Sequence, residues 1–162
     1  MEVSPANSNI WLLGTEELRA CLSSNGGQSW SLVEAGDRAA FVRRFRFSLH
    51  DPLRVLAATE GNRIFVSDYT GQNWEGIGSE VIMDFSRDVV FHPTDSRVVF
   101  SAPANTDVLL RRSDNQGETW SDSGANLYAT VTSLAIGTTD PGFVYAGNRG
   151  QPLRQSGWRR FV

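Results

Sequence analysis

One octapeptide recurs along the chain, and it constrains the fold more than any other feature of the sequence. Residues Ser113–Trp120 read Ser-x-Asn-x-Gly-x-Thr-Trp, residues Ser23–Trp30 follow the same pattern, and residues Ser67–Trp74 follow it more loosely. The Asn side chain can bond to backbone groups two residues ahead, and the Gly supplies a positive φ. The Trp that follows stands where the chain enters the next strand, and it offers a large apolar surface. Each copy therefore predicts a β-hairpin turn followed by a buried Trp.

A second marker repeats with the same period: a turn rich in Pro, Asp and Asn that precedes an apolar strand. Its anchor residues stand 44, 44 and 45 positions apart, and the tryptophans stand 44, 46 and 38 positions apart. The anchors are Asn7, Asp51, Asp95 and Asp140, and the tryptophans are Trp30, Trp74, Trp120 and Trp158. Two independent markers with one period predict a repeat protein. We expect a single domain over 1–162, with units of approximately 1–36, 37–79, 80–125 and 126–162.

The octapeptide resembles the Asp-box, or BNR repeat, of sialidase-like, sortilin-like and photosystem assembly factor-like β-propellers. The family consensus is Ser/Thr-x-Asp-x-Gly-x-Thr-Trp, and the Asp position here holds Asn25, Tyr69 and Asn115. Asn keeps the turn chemistry, whereas Tyr69 does not, so the second copy is degenerate. The period suits a propeller blade of four strands, A to D. The fold class predicted is all-β: a β-propeller, or an open propeller segment, of about four four-stranded Asp-box blades.

The ends of the repeat predict an incomplete ring. At most residues 1–3 are available for strand A of unit one, while unit four ends on its strand D, Trp158–Val162. Propellers of the resembled family usually complete one blade with strands from both ends, which removes an exposed edge. We expect either the remaining blades of a longer chain or a homo-oligomer to complete the ring. A compact four-bladed ring is the alternative.

Composition argues against several classes of function. The net charge is −3 over 162 residues, which disfavours a general nucleic-acid binder or an anionic-membrane binder. The single cysteine, Cys21, rules out an intramolecular disulfide, and no run approaches the ~20 apolar residues of a membrane span. The N-terminus carries no signal-peptide pattern, so the compartment is unknown, and an extracellular or periplasmic location follows only from the resemblance. We expect no cofactor, no nucleic-acid partner and no membrane insertion.

The resemblance also predicts which face of the fold binds a ligand. In the resembled family the box turns lie on one face, and ligands bind on the opposite face, at the D–A and B–C loops. Asn25, Asn115 and the tryptophans then have a structural role. His50 and His92 fall in turns on the box side, and two histidines without nearby Cys or acidic ligands predict no metal site.

An alternating segment marks the candidate binding surface. In residues 41–47 the arginines Arg44 and Arg46 fall on one side of a strand and two phenylalanines on the other. Aligned on strand A, the units place Arg46, Asp88 and Ser133 at matching positions, where the innermost strands converge on a central channel. Such a set suits a carboxylate, a phosphate or a sugar, with Arg supplying bidentate bonds; the alternative is an inert Arg–Asp pair between blades. The candidate ligand-binding residues are Arg43, Arg44, Arg46, Asp84, Asp88 and Arg149.

Two catalytic functions are weighed against a binding function. Sialidase-type propellers need an arginine triad, an Arg-Ile-Pro segment and a nucleophilic Tyr, and Arg-Ile-Pro is absent here. Segment Val89–Asp95 is similar to repeats of xyloglucan-degrading glycosidases, whose two carboxylates flank a cleft between two propellers. The acids available by position are Glu60, Asp84, Asp88 and Asp107, but no feature marks two of them as a pair.

We therefore expect a non-catalytic binding or scaffold module that recognises a protein, a peptide or a glycan. The alternative is a glycoside hydrolase fragment or subunit, xyloglucanase-like or sialidase-like, that acts on carbohydrate. An enzyme in this chain would be a glycoside hydrolase, and its catalytic residues are unknown. A third interpretation is a purely structural segment of a larger repeat protein.

Overall fold

The structure is a computed structural model, and it describes residues 1–15, 20–33, 41–60, 63–77, 86–103, 110–123, 131–148 and 153–155. Within these ranges every regular element is a β-strand, and the strands form four antiparallel sheets. The predicted all-β class is therefore confirmed. No helix among the described residues is long and apolar enough to cross a lipid bilayer.

Each sheet is built from strands that follow one another in the chain. Sheet 1 holds β1 (Glu2–Val3), β2 (Trp11–Gly14), β3 (Ala20–Ser23) and β4 (Ser31–Val33). Sheet 2 holds β5 (Phe41–Phe47), β6 (Val55–Glu60), β7 (Ile64–Ser67) and β8 (Glu75–Ile77). Sheet 3 holds β9 (Ser86–Phe91), β10 (Val99–Pro103), β11 (Arg111–Ser113) and β12 (Ser121–Asp122). Sheet 4 holds β13 (Val131–Ile136), β14 (Val144–Asn148) and β15 (Leu153–Gln155).

Four consecutive antiparallel sheets are what the 44-residue period predicts, since each period supplies one meander of strands. The fourth strand expected over Trp158–Val162 lies outside the described residues. The division of the chain into a single domain with four units stays a prediction.

The inner strands are apolar at consecutive positions because both faces of a middle sheet are covered. In β6, Val55 and Ala57 belong to the cluster between sheets 1 and 2, while Leu56 and Ala58 belong to the cluster between sheets 2 and 3. Side chains alternate between the two faces of a strand, so a strand that is buried on both faces shows no polar alternation. A third cluster, around Phe100, lies between sheets 3 and 4. The described sheets thus stack face to face in chain order.

The two best octapeptides form the same side-chain-to-backbone turn. In the first, Ser23 Oγ accepts hydrogen bonds from the backbone N–H groups of Asn25 at 3.3 Å and Gly27 at 2.9 Å. Asn25 Oδ1 in turn accepts from the N–H of Ser29 at 2.9 Å. The third copy repeats every bond: Asn115 and Gly117 donate to Ser113 Oγ at 3.2 and 2.8 Å, and Thr119 donates to Asn115 Oδ1 at 2.9 Å.

The second octapeptide keeps only half of this turn. Tyr69 and Gly71 still donate their N–H groups to Ser67 Oγ, at 3.2 and 2.9 Å. Tyr69 has no side-chain oxygen close to the backbone to replace that of Asn. The backbone is nevertheless conserved, since Thr70 has a positive φ of 54°, as Gly26 (69°) and Gln116 (61°) have at the same position of the other copies. The Ser and the Gly are therefore enough to close the turn in this copy, which the sequence identifies as degenerate.

The box tryptophans differ in burial. Trp120 is buried between sheets 2 and 3, and Trp74 packs in the cluster between sheets 1 and 2. Trp30 is 39% exposed and packs edge-on against Trp11, with ring centroids 6.4 Å apart. The prediction that each box Trp is buried is wrong for Trp30, because the described residues place no sheet against that side of sheet 1.

Candidate functional site

The first strands of the four sheets lie side by side. Strand β1 contacts β5, β5 contacts β9, and β9 contacts β13. Polar side chains on these strands can therefore meet even though about 40 residues separate them in the chain. They form the first-strand cluster, which consists of Glu2, Arg44, Arg46 and Asp88.

Asp88 is the centre of the first-strand cluster. Its carboxylate is fully buried, and its Oδ2 accepts from Arg46 Nη2 at 3.1 Å and from the N–H of Leu134 at 2.8 Å. Its Oδ1 accepts from the N–H of Val89 at 2.9 Å. A buried carboxylate is strongly unfavourable unless it is paired and hydrogen-bonded. These three bonds meet that requirement, and they join sheets 2, 3 and 4 through one side chain.

Arg46 connects the same carboxylate to two further groups. Its Nε donates to the carbonyl of Val89 at 3.2 Å, and its Nη1 lies 3.7 Å from Glu2 Oε2 in sheet 1. All three guanidinium nitrogens therefore face groups of the protein itself. Of the two expectations stated for Arg46 and Asp88, the described contacts match the Arg–Asp pair between sheets.

Arg44 lies beside this pair with fewer bonds. Its Nε is 3.7 Å from Asp88 Oδ1, which is an ion pair but too long for a hydrogen bond. The Nε atom is itself buried and has no hydrogen-bond partner among the described residues, whereas 38% of the side chain as a whole is exposed. Arg44 therefore faces Asp88 with its buried Nε, and its side chain is more exposed than that of Arg46, which is 23% exposed.

The strand register corrects the expected alignment of these residues. Arg44 pairs with Ala58, Asp88 with Ala102 and Ser133 with Gly147, each at the equivalent point of its sheet. The expectation that Arg46 matches Asp88 and Ser133 is therefore wrong, and Arg44 is the matching residue. Arg46 reaches Asp88 from two residues further along β5, because its long side chain spans the gap between the sheets.

The other predicted site residues are placed as follows. Arg43 lies at the irregular start of β5, is half exposed, and makes an ion pair with Glu60 on the neighbouring strand. Asp84 and Arg149 lie outside the described residues, and so does the candidate acid Asp107. The structure therefore brings together Arg44, Arg46 and Asp88 and leaves the other three predicted residues apart or undescribed.

Glu2 is a member of the cluster that the sequence analysis missed. Burial raises the pKa of its carboxyl, while the charges of Arg46 and Arg44 lower it, and the net shift is upward. Glu2 pairs with Leu12 as Arg46 pairs with Leu56, so the two residues occupy the same position in their sheets. Knowledge of this register would have identified Glu2. The first strand is too short to show an alternating pattern from which its register could be predicted.

The two histidines lie in the turns and tie neighbouring sheets together. His50 Nε2 is 3.0 Å from the carbonyl of His92, and His92 Nε2 is 3.1 Å from the carbonyl of Pro141. The N–H of Asp95 donates to His92 Nδ1 at 3.1 Å, so His92 Nε2 carries the proton that Pro141 accepts. Across the described ranges no three His, Cys, Asp or Glu side chains gather as a metal site would require.

The chain matches no known family model, and no curated protein is similar to it in sequence. Its structure is similar to an ancestral GH74 enzyme with a TM-score of 0.69 and 19% identity, over 96% of this chain and 25% of that chain. It is similar to the GH74 xyloglucanase from Xanthomonas campestris with a TM-score of 0.71 and 18% identity, over 96% and 27% of the two chains. The fold is that of a β-propeller segment.

A third structure with the same fold is not described as an enzyme. YCF48 bound to D1 peptide matches with a TM-score of 0.63 and 12% identity, over 92% of this chain and 51% of that chain. The chain thus spans about a quarter of the length of the GH74 enzymes and about half that of YCF48. Identities this low establish the fold alone, and the described sheets form an open series.

Proposed function

We propose that this chain is a non-catalytic binding segment of an Asp-box propeller, and that Arg44 binds an anionic group of a peptide ligand. The observation that carries the proposal is the difference between the two arginines. Arg46 donates two hydrogen bonds and faces Glu2 at 3.7 Å with its third guanidinium nitrogen, whereas Arg44 is more exposed and, among the described residues, makes a single ion pair at 3.7 Å.

The surroundings of Arg44 suit recognition of a carboxylate. A guanidinium can bind both oxygens of a carboxylate through two parallel hydrogen bonds. Asp88 lies behind Arg44 and is already neutralised by Arg46 and two backbone N–H groups, so it orients Arg44 without using its outer donors. A ligand would then meet a pre-positioned side chain, which lowers the entropic cost of binding.

A peptide is favoured over a glycan as the ligand class. YCF48, which shares the fold, has been solved with a bound D1 peptide. Carboxylates are part of every peptide with a free C-terminus, whereas a neutral glycan offers Arg44 only hydroxyl groups. The turn geometry of Ser23 and Ser113 supports membership of the Asp-box family, whose binding members this proposal follows.

The test compares two short alanine-rich peptides that differ only at the C-terminus, one a free carboxylate and one an amide. Calorimetry should detect the carboxylate peptide binding to the wild type more tightly than the amide. Arg44→Ala should weaken this binding about tenfold or more, because charge-assisted hydrogen bonds contribute roughly 1.5–3 kcal/mol. Arg97→Ala is the matched control, since Arg97 is exposed and lies in a turn with Asp95 as its partner. Equal affinity of both variants for the carboxylate peptide would refute the proposal.

A glycoside hydrolase is the second candidate function, and the similarity to GH74 enzymes supports it. The two candidate acids that are described give this function little support, since Asp88 is buried and hydrogen-bonded and Glu60 is paired with Arg43. The remaining candidates, Asp84 and Asp107, lie outside the described residues. Release of reducing ends from xyloglucan by the purified chain would favour this function over the binding proposal.

A further inference from the structure

Sheet 1 has one covered face and one open face. Leu12 points toward sheet 2 and is fully buried. The opposite side carries Val3, Trp11 and Leu13, which form what we term the open face of sheet 1. Val3 is 38% exposed and Leu13 is 37% exposed, and none of the described sheets packs against them.

The strand register shows that these positions are buried in the other sheets. Leu13 occupies the position held by Ala57, Ser101 and Ala146, and all three are buried. Val3 occupies the position of Phe47 and Phe91, which are buried against the preceding sheet. The open face is therefore a sheet-packing surface that none of the described sheets covers.

Trp30 is a second and independent indication that the open face of sheet 1 is a packing surface. Trp74 and Trp120, at the equivalent points of their octapeptides, pack into the cluster shared with the preceding sheet. Trp30 has no described preceding sheet, and its ring instead lies against Trp11 on the open face. An exposed apolar patch of this kind usually marks an interaction surface.

The far end of the stack carries the complementary surface. Tyr145 in β14 pairs with Ala135, and both side chains are exposed on the side of sheet 4 away from sheet 3. Tyr145 occupies the position of Leu12, Leu56 and Phe100, the largest fully buried side chains of the three other sheets. At 39% exposure Tyr145 is the side chain that would enter the next sheet if one were present.

We propose that two copies of this chain cover these faces reciprocally, with sheet 4 of each copy packed on sheet 1 of the other. The contact would continue the series already formed between sheets 1 and 2, 2 and 3, and 3 and 4, at the same register positions. Two such contacts, related by a two-fold axis, close a ring of eight sheets and leave no open face.

The first measurement is the solution mass of the chain by light scattering over a wide range of concentration. The wild type is expected at twice its chain mass of 17.9 kDa. Leu13→Asp and Tyr145→Asp each place a carboxylate in both contacts, so each should weaken the dimer about a hundredfold or more. Leu49→Asp is the control, because Leu49 is an exposed leucine in a turn. This variant should stay dimeric. Circular dichroism of the isolated variants confirms that each remains folded.

The second measurement mixes the two interface variants. One contact of a mixed dimer joins the intact sheet 4 of the Leu13→Asp copy to the intact sheet 1 of the Tyr145→Asp copy. The mixture should therefore associate more strongly than either variant alone. A wild type that is monomeric at every concentration overturns the proposal. A dimer insensitive to Tyr145→Asp, or species larger than a dimer, overturns the reciprocal two-copy arrangement.

Discussion

At the scale of single residues, the two arginines of β5 have different tasks although they are two positions apart. Arg46 compensates the buried Asp88 carboxylate through a hydrogen bond, whereas the more exposed Arg44 lies 3.7 Å from it. The alternation in 41–47 predicts correctly that both lie on one side of the strand, opposite the buried Phe45 and Phe47. The sequence could not distinguish their tasks, because the partner carboxylate is supplied by another sheet.

The division of tasks predicts unequal effects on stability. Arg46→Ala should lower the free energy of unfolding by about 2–3 kcal/mol, because it leaves a buried carboxylate with one charged partner fewer. Arg44→Ala should cost less than about 1 kcal/mol, since its ion pair is long and partly exposed. Urea titration of both variants measures the difference. Equal losses would mean that Arg44 is also structural.

Glu2 predicts a pH dependence of stability. Its pKa is raised in the folded state, with burial as the largest cause, so the folded protein binds this proton more tightly than the unfolded chain does. The unfolding free energy should therefore fall as the pH rises from the usual carboxyl pKa, about 4.3, through the raised folded value.

The variant Glu2→Gln isolates this contribution, because it keeps the shape of the side chain and removes its titration. As the pH rises across that window, the unfolding free energy of the wild type should fall relative to that of Glu2→Gln. Denaturant midpoints measured at several pH values give this difference. A difference that does not change with pH would show that the carboxyl titrates alike in both states.

At the scale of elements, the box turn is what the octapeptide specifies most completely. The Ser, Asn and Gly positions make the bonds that their chemistry predicts, and the copy with Tyr69 loses those of Asn. The burial of the following Trp depends on whether a neighbouring sheet is present, which the octapeptide does not encode. This is why Trp120 and Trp30 differ although their local sequences agree.

The box glycines provide a matched pair of substitutions. Gly27 and Gly117 have similar positive φ angles, 85° and 96°, so replacement by Ala strains both backbones alike. At Gly117 a Cβ would also come within 2.8 Å of Ile77 Cδ1 in sheet 2, whereas at Gly27 the nearest atom is 3.2 Å away, in Trp11.

Gly117→Ala should therefore destabilise the protein by up to about 1 kcal/mol more than Gly27→Ala does, since the terminal methyl of Ile77 must move to make room for the new Cβ. Thermal or urea denaturation of the two variants measures this difference in stability. Similar losses would indicate that the backbone strain dominates and that sheet 3 tolerates a small displacement from sheet 2.

At the scale of the whole molecule, the repeat period predicts four stacked sheets, because two markers in each period define where the strands must lie. The site was only partly accessible from the sequence. Arg44, Arg46 and Asp88 follow from alternation and alignment, whereas Glu2 belongs to a strand too short to show a pattern. The contacts that give each residue its role all cross between sheets, and a single sequence does not report such pairs.

Strands from all four sheets converge on one cluster, in which Arg46 joins the sheets and Arg44 is the residue proposed to bind the ligand. The most direct test follows the Nε–H signals of isotope-labelled arginines by NMR while the carboxylate peptide is added. The Arg44 signal is expected to shift in proportion to binding. The Arg46 signal is expected to stay in place, because the Nε–H of Arg46 donates to the Val89 carbonyl. A shift confined to Arg46, or binding that moves neither signal, would contradict the proposal.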